Sequence, residues 1–342
     1  MLELRDIYQV FNKGSASETI ALNHINLILQ EGEFVTVIGG NGAGKSTLMN
    51  VISGSCAPDE GKVLLNNNDV TKMPEHKRAP YFGRVFQDPK VGTATDMTVI
   101  ENLALAYGRG RTRSLFRWSY RKKDVDMFIN DLKTLGLGLE NKLYQKVGLL
   151  SGGQRQALTL LMATIRNRPA YRTIKKDYVR FTDGDKKQAK KEVDEAFVKA
   201  KEEYANAKQN INNDASLSKE EKKNKLLEAK KDLDIKLRKF DLTKPILLLD
   251  EHTAALDPKT AEKVLETTER IVKENNLTTI MITHNMKDAI RLGNRLIMMS
   301  KGRIVADIKG EEKKKLTIET LLEMFVTSSK NDMLADSMIL GD

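Results

Sequence analysis

The sequence feature that most constrains the fold is a glycine-rich loop at residues 39–47, which reads GGNGAGKST. It follows a short apolar, β-branched run, EFVTVI at 33–38, and precedes the helix-like LMNVIS. The pattern G-x-x-x-x-G-K-[ST] needs glycines so that successive backbone N–H groups converge on phosphate oxygens, and the N-terminus of the following helix adds its dipole. The order strand, loop, helix therefore predicts an α/β fold with a phosphate-binding loop.

The side chains of this loop have distinct predicted roles. Lys45 reaches the β- and γ-phosphates of a nucleotide, and the Ser46 hydroxyl ligates Mg²⁺. A plain glycine-rich turn is the alternative, which the flanking strand and helix patterns disfavour. The other predicted nucleotide contacts in the loop are Gly39, Asn41, Gly42, Ala43, Gly44 and Thr47.

A second run, PILLLDE at 245–251, is typical of a buried parallel strand that ends in two adjacent carboxylates. Beside the phosphate loop, Asp250 would hold Mg²⁺ through its water shell. Glu251 would orient and polarise the water that attacks the γ-phosphate. An apolar strand that ends in Asp-Glu is common and indicates little alone, but combined with the glycine loop it predicts an NTPase.

Composition limits the remaining possibilities. The 342 residues are 40% apolar, which suffices for a buried core, and the net charge is +10. The segment 170–244 contains 21 basic and 15 acidic side chains, so most of the surplus charge lies there. The single cysteine, Cys56, excludes an internal disulfide framework and is expected only to pack. The sequence has no signal-like or membrane-length apolar run, which predicts a cytoplasmic chain whose only membrane role would be peripheral.

Four further motifs carry a resemblance to one family. The run LSGGQRQ at 150–156 resembles the signature motif of the ATP-binding cassette (ABC) ATPases. Gln87 in RVFQDP resembles the Q-loop glutamine, ALD at 255–257 resembles the D-loop, and His284 after TTIMIT resembles the switch histidine. Their order along the chain matches the family. The resemblance implies a P-loop NTPase core with an antiparallel β subdomain and an α-helical signature subdomain, with ATP and Mg²⁺ as cofactors.

The resemblance also implies that the site is shared between two cassettes, in a homodimer or with a different paired cassette. Phe11 is expected to stack on adenine, with Tyr8 as a rival for that role. The implied catalytic residues are Lys45, Gln87, Glu251 and His284, and the implied metal ligands are Ser46, Gln87 and Asp250. The residues expected to contact nucleotide across the dimer or beside it are Ser151, Gly152, Gly153, Gln154 and Asp257.

One position departs from the family pattern. The sequence reads DEHT at 250–253, with His252 where a proline usually follows the catalytic glutamate. The replacement frees φ and restores a backbone N–H beside Glu251, but nothing in the residues assigns chemistry to His252. His24 and His76 are predicted to be surface residues.

The sequence around the motifs most resembles stand-alone ATPases of bacterial importers that work with a separate permease and a substrate-binding lipoprotein. Some such relatives are associated with amino acids, and no nucleic acid is expected as a partner. The stretch ATDMTVIENLALA at 94–106 predicts a turn and an amphipathic helix, either bordering a permease groove or simply packed. The alternatives are an exporter or lipoprotein-extraction ATPase, and a non-transport ATPase that acts on nucleic acid or the ribosome.

Residues 109–123, RGRTRSLFRWSYRKK, interleave basic and aromatic side chains. Three interpretations stay open for this stretch. It could contact nucleic acid by stacking and phosphate pairing, contact a permease or anionic headgroups, or form a solvated loop.

The segment 170–244 separates the signature motif from the Asp-Glu strand and is predicted to be an insertion. Its first half has an apolar stripe at helical spacing, and a capping box at 218–221 starts a second half with another stripe. The two halves predict an antiparallel coiled-coil hairpin with a charged outer face, and topology places this hairpin away from ATP. Docking a partner, regulating hydrolysis and decorating the surface all stay open as its role. The two stripes are Val193, Phe197, Ala200, Tyr204, Ala207 and Ile211, then Leu226, Ala229, Leu233, Leu237 and Phe240.

The predicted organisation has five parts, taken in chain order. The ATPase core comprises 1–88 and 245–326, and the helical signature subdomain comprises 89–169. The inserted hairpin occupies 170–244, and a tail occupies 327–342.

Overall fold

The computed structural model describes residues 1–109, 120, 122–165, 185–214, 216–238 and 245–327. The strands are β1 (Leu2–Phe11), β2 (Thr19–Leu29), β3 (Phe34–Gly39), β4 (Glu60–Leu65), β5 (Asn68–Asp69), β6 (Phe82–Val85), β7 (Ile246–Asp250), β8 (Thr279–Ile282), β9 (Arg295–Ser300) and β10 (Arg303–Lys309). The helices are α1 (Lys45–Ser53), α2 (Glu75–Arg78), α3 (Val99–Tyr107), α4 (Lys122–Thr134), α5 (Gly152–Thr164), α6 (Lys186–Asn213), α7 (Lys219–Arg238), α8 (Pro258–Asn275), α9 (Met286–Arg291) and α10 (Glu311–Lys314), followed by a helical stretch at 318–327.

The central element is a six-stranded sheet with the order β10-β9-β3-β8-β7-β6. Neighbours from β9 to β6 are parallel, and β10 pairs antiparallel with β9 at the edge. Every residue of β3 is buried, as expected for a strand covered on both faces. The carboxyl ends of β3, β7 and β8 therefore meet at one edge of the sheet, where the phosphate loop begins.

A four-stranded sheet, β2-β1-β4-β5, forms the predicted antiparallel β subdomain. Strand β1 pairs antiparallel with β2 and with β4. Phe11, the last residue of β1, lies opposite Thr19, the first residue of β2. Together the two sheets confirm the predicted α/β fold class and place Phe11 at the open end of this pair.

Helices α3, α4 and α5 share a buried apolar core with the six-stranded sheet. Helix α3 begins after Thr98, whose hydroxyl accepts from the Glu101 N–H in a capping box. The sequence predicted a turn and an amphipathic helix here, and the helix at Val99–Tyr107 confirms it. Helix α5 begins after Ser151 with a second capping box, formed with Gln154. The signature motif therefore lies at a helix N-terminus.

The described chain divides into two compact units, and α6 and α7 belong to the smaller one. The two helices contact each other. In α6 the predicted stripe faces inward, since Val193, Phe197 and Ala200 are buried while the adjacent Val198 is exposed. The Ser218 hydroxyl accepts from the Glu221 N–H and donates to its carboxylate, which confirms the predicted capping box. Two contacting helices are thus present within the segment predicted to be a hairpin, and its status as an insertion stays a prediction.

Several predictions fall partly or wholly outside the described residues. These include most of 109–123, the ends of the insertion at 170–184 and 239–244, and residues 328–342. The five domain boundaries stay predictions. His24 and His76 are exposed as predicted, and Cys56 is half-buried.

Candidate nucleotide-binding site

The phosphate loop turns sharply between β3 and α1. Gly42 and Gly44 have φ angles of 77° and 94°, in the left-handed region that side chains with a Cβ rarely adopt. A Cβ on Gly44 would also collide with the backbone carbonyl of Ala21. The loop can therefore keep its shape only with glycine at this position.

Lys45 is the first residue of α1 and is 6% exposed. Its Nζ donates to the carbonyl oxygens of Gly39 at 2.8 Å and Gly40 at 2.9 Å. Burial lowers the pKa of Lys45, and the Glu251 and Asp250 carboxylates oppose that effect. The lysine thus places a positive charge inside the curve of the phosphate loop.

Glu251 and His284 meet at the carboxyl edge of the sheet. Glu251 follows β7, His284 follows β8, and Nε2 of His284 lies 2.5 Å from Oε1 of Glu251. Glu251 has a φ of 46°, and its N–H donates to the Ile282 carbonyl at 3.1 Å. This backbone turns the carboxylate out of the strand direction towards the histidine. The pair resembles the base and its orienting partner in hydrolytic sites.

Asp250 ends β7 and has a different environment. A guanidinium nitrogen of Arg84, on the neighbouring strand β6, lies 3.5 Å from its carboxylate. Burial raises the pKa of Asp250, and the positive charge of Arg84 acts against that rise. Arg84 also lies over the Phe86 ring, 4.7 Å from its centroid. The Asp250 carboxylate is also close enough to Lys45 to affect its pKa, and a carboxylate oxygen is a hard donor of the kind that Mg²⁺ prefers.

One cleft brings many of the predicted residues together. It has a volume of ≈ 320 Å³, and Phe11 lies on its wall with 41% of its surface exposed. Tyr8, the rival for adenine stacking, stacks on His24 instead, with ring centroids 5.1 Å apart. The cleft is lined by Phe11, Thr19, Ala21, Asn41, Gly42, Ala43, Gly44, Lys45, Ser46, Thr47, Glu251 and His284.

Other predicted site residues do not line this cleft. Gln87 is exposed just past β6. Ser151 is exposed at the N-terminus of α5, and Asp257 is exposed at the N-terminus of α8, where it accepts from the Thr260 N–H at 3.0 Å. Thr260 packs directly on Gly153, where a Cβ would collide with it. The signature and D-loop segments therefore adjoin each other, away from the cleft of the same chain.

His252 is buried, with 2% of its surface exposed. Its Nε2 lies 3.1 Å from the hydroxyl of Thr268 in α8. Burial lowers its pKa to about 4, so the ring is neutral at pH 7. The histidine that replaces the family's proline is thus part of the core beneath Glu251.

Sequence reasoning missed three residues near the site. Thr19 and Ala21 line the cleft through their position opposite the end of β1, and Arg84 reaches Asp250 from the next strand. The first two had no chemical signal in the sequence. Arg84 had one, an arginine in the β6 strand pattern beside the Asp-Glu strand, but only the strand order makes the two adjacent.

The sequence also matches known proteins. Residues 22–171 match the family model described as ABC transporter. A tyrosine transport ATP-binding protein of Clostridioides difficile is 35% identical over 95% of this chain and 98% of its own length. A thiamine import ATP-binding protein of Chelativorans sp. is 26% identical over 82% of this chain and 78% of its own. This chain therefore belongs to the ABC transporter ATPases and is an ATP-binding, ATP-hydrolysing member of that family.

Solved structures of ATP-binding cassettes share this fold. A solved dimeric ATP-binding cassette in a post-hydrolysis state, bound to ADP and Pi, superposes with a TM-score of 0.59. It is 23% identical and covers 90% of this chain and 98% of its own. At that identity the match supports the cassette fold. Within the described residues, no helix combines the length and apolar character that a membrane crossing requires.

Proposed function

We propose that this chain powers a membrane importer of a small solute of the amino-acid class. The observation that carries the proposal is the cleft in which the phosphate loop, Phe11, Glu251 and His284 lie together, with Glu251 at 2.5 Å from His284. The name of the relative at 35% identity supports transport of an amino acid. The proposed location is the inner face of the cell membrane, beside permease subunits and a substrate-binding lipoprotein.

In the proposed mechanism, ATP binds with adenine on Phe11 and its phosphates in the loop of residues 39–47. Lys45 neutralises charge on the β- and γ-phosphates. Glu251 accepts a proton from the attacking water as the bond between the γ-phosphorus and the bridging oxygen breaks, giving ADP and phosphate. His284 orients the Glu251 carboxylate through the contact between its Nε2 and Oε1 of Glu251.

Mg²⁺ fits the donor set at this edge of the sheet. Ser46 lines the cleft, and the partly desolvated Asp250 lies close enough to Lys45 to affect its pKa. These two residues would hold the ion, with Gln87 brought in from its exposed position. The ion would supply charge neutralisation of the phosphate oxygens.

A second cassette completes the proposed site. Ser151 and Gly152 are exposed at the N-terminus of α5, where the helix dipole favours contact with an anion. Because these residues lie away from the cleft of their own chain, we propose that they contact ATP bound to the partner. The solved relative is dimeric, which is consistent with such an arrangement.

The proposed permease surface is an exposed apolar patch of Met97, Tyr144 and Leu149. Their exposed fractions are 40%, 70% and 71%. The two segments that carry them are joined by backbone hydrogen bonds, including Val147 N–H to the Met97 carbonyl at 2.9 Å. Large apolar side chains grouped at the surface favour a protein partner.

Replacing Glu251 by glutamine tests the hydrolytic part. We expect Glu251→Gln to retain ATP binding and to lower the hydrolysis rate by about a hundredfold or more, with a closed dimer trapped by ATP. Size-exclusion chromatography with ATP and phosphate release measure the two effects. The exposed Glu274→Gln is the matched control. Hydrolysis by Glu251→Gln at the control rate would refute the role of Glu251 as base.

Reconstitution tests the transport part. The full chain is combined in liposomes with the membrane protein that co-purifies with it, and uptake of labelled tyrosine, methionine and thiamine is compared. Import of an amino acid that stops with Glu251→Gln supports the proposal. Efflux, or ATPase activity stimulated by DNA or ribosomes and not by solute, contradicts it.

A further inference from the structure

His252 lies next to Glu251 but takes no part in the cleft. Its Nε2 lies 3.1 Å from the Thr268 hydroxyl, and both residues are buried. The Thr268 hydroxyl itself donates to the Val264 carbonyl at 2.8 Å. Since a hydroxyl has one hydrogen, Thr268 accepts from His252, and the neutral ring carries its proton on Nε2. The bond therefore has a defined direction, from the ring to helix α8.

The backbone beside this ring is held in an uncommon conformation. Glu251 has a φ of 46°, which residues with a Cβ adopt only when surrounding contacts require it. Two backbone hydrogen bonds hold the turn, from Glu251 N–H to the Ile282 carbonyl and from Ala254 N–H to the Glu251 carbonyl at 3.0 Å. The bond from His252 to Thr268 ties the same turn to α8 through a side chain.

We propose that His252 is a positioning residue for Glu251, acting through its hydrogen bond to Thr268. The bond restrains the turn after β7. The backbone of Glu251 therefore does not shift, and its carboxylate keeps its contact with Nε2 of His284. This inference rests on the proposed role of Glu251 as base. His252 itself transfers no proton in hydrolysis, because it is buried and its N–H is engaged with Thr268.

Four single variants of the full chain test the inference. His252→Ala and Thr268→Val remove the donor or the acceptor, whereas His252→Gln and Thr268→Ser keep an N–H or a hydroxyl at a similar reach. We expect the first two to lower kcat of ATP hydrolysis by about 10- to 100-fold, because small misplacements of a reacting group have effects of that size. KM for ATP should change by less than about twofold. His252→Gln and Thr268→Ser should stay within about threefold of wild type.

The double variant His252→Ala/Thr268→Val separates one shared bond from two independent defects. Loss of one bond predicts that the double variant is no slower than the slower single variant. Should His252→Ala fail to fold, the pair Thr268→Val and Thr268→Ser decides the question. A wild-type kcat for Thr268→Val would overturn the inference. So would a rise of KM for ATP as large as the fall of kcat, or a fall of kcat in the double variant that equals the product of the two single-variant effects.

Glu251→Gln in the same assay keeps the two proposals distinguishable. If Glu251→Gln hydrolyses ATP at the wild-type rate, the proposed base is wrong and His252 has nothing to position. If Glu251→Gln is inactive while Thr268→Val has the wild-type kcat, the base stands and only the role of His252 fails.

Discussion

Charged side chains are largely buried and paired in the nucleotide cleft, whereas they are exposed to solvent in the helical hairpin. In the cleft, Lys45 is 6% exposed and donates to two backbone carbonyls, and Glu251 lies 2.5 Å from His284. In the hairpin, Lys191 and Glu195 are 3.8 Å apart, with 71% and 68% of their side chains exposed. A desolvated charge must have partners, whereas a hydrated charge needs none. Charge in the cleft is therefore part of the structure, and charge in the hairpin covers its outer face.

The apolar side chains differ in the same two regions. Strand β3 is buried at every position between two parallel neighbours, which lie far away in the sequence. Helix α6 buries a single stripe and contacts α7, from which only five residues separate it in the sequence. Changes in the cleft should therefore affect chemistry, whereas changes in the hairpin should affect local stability.

The largest effect is expected from removing the cleft lysine. Lys45→Gln should lower kcat/KM for ATP hydrolysis about a thousandfold, roughly 4 kcal/mol of transition-state stabilisation, because a preorganised charge on the phosphates is lost. Steady-state phosphate release measures it. Lys191→Gln, a lysine on the exposed face of α6, is the matched control and should hydrolyse ATP at the wild-type rate. If kcat/KM fell equally in both variants, buried charge in the cleft and exposed charge in the hairpin would not differ in their effect on hydrolysis.

The next effect concerns the hairpin seam. Phe197→Ala should destabilise the α6–α7 unit by about 3 kcal/mol, because it removes a large buried side chain. Its neighbour Val198 is 56% exposed, so Val198→Ala should cost less than about 0.5 kcal/mol. Amide hydrogen exchange over 186–238 measures both. If Phe197→Ala also abolishes ATP hydrolysis, the hairpin is not independent of the cleft.

The third effect is a pH dependence in the core beneath the cleft. The pKa of His252 is about 4 in the folded chain, below the unfolded value of 6.5, so the unfolded state binds a proton first as pH falls. The contribution is fully present above the unfolded pKa and is lost as pH falls towards the folded pKa. Wild type should lose about 2 to 3 kcal/mol more stability than His252→Gln between about pH 7.5 and about pH 4.5. Denaturant titrations at both pH values check this, and parallel curves would contradict it.

The smallest effect is expected at the start of α7. Ser218→Ala removes the acceptor for the Glu221 N–H and should cost the hairpin about 1 kcal/mol. Ser218→Asp retains a capping oxygen and should restore most of that stability. Circular dichroism melts of the full chain and hydrogen exchange at 219–222 measure the change. An unaltered exchange rate in Ser218→Ala would show that α7 is held by its seam alone.

The sequence predicted some of these features well and others poorly, for physical reasons. The phosphate loop depends on local backbone conformation, and the stripe of α6 depends on helical periodicity. Both can be predicted from short stretches of sequence. Two candidates for adenine stacking, Phe11 and Tyr8, could not be separated, because β1 has irregular pairing with β2 and the sequence does not reveal its register. The pairing of Arg84 with Asp250 depends on the order of strands β6 and β7.

The sequence by itself determined the glycine loop, the strand that ends in Asp-Glu, the order of the family motifs and the two helices of the hairpin. Each of these follows from short-range patterns of size, charge and backbone freedom. Only the tertiary structure decided which residues share the cleft, that Gln87 and the signature segment lie outside it, and that His252 is a buried donor to Thr268. Such contacts join residues that are distant in the chain. Which side chains are buried and which partners they bond to therefore depends on the order of the strands in the sheet.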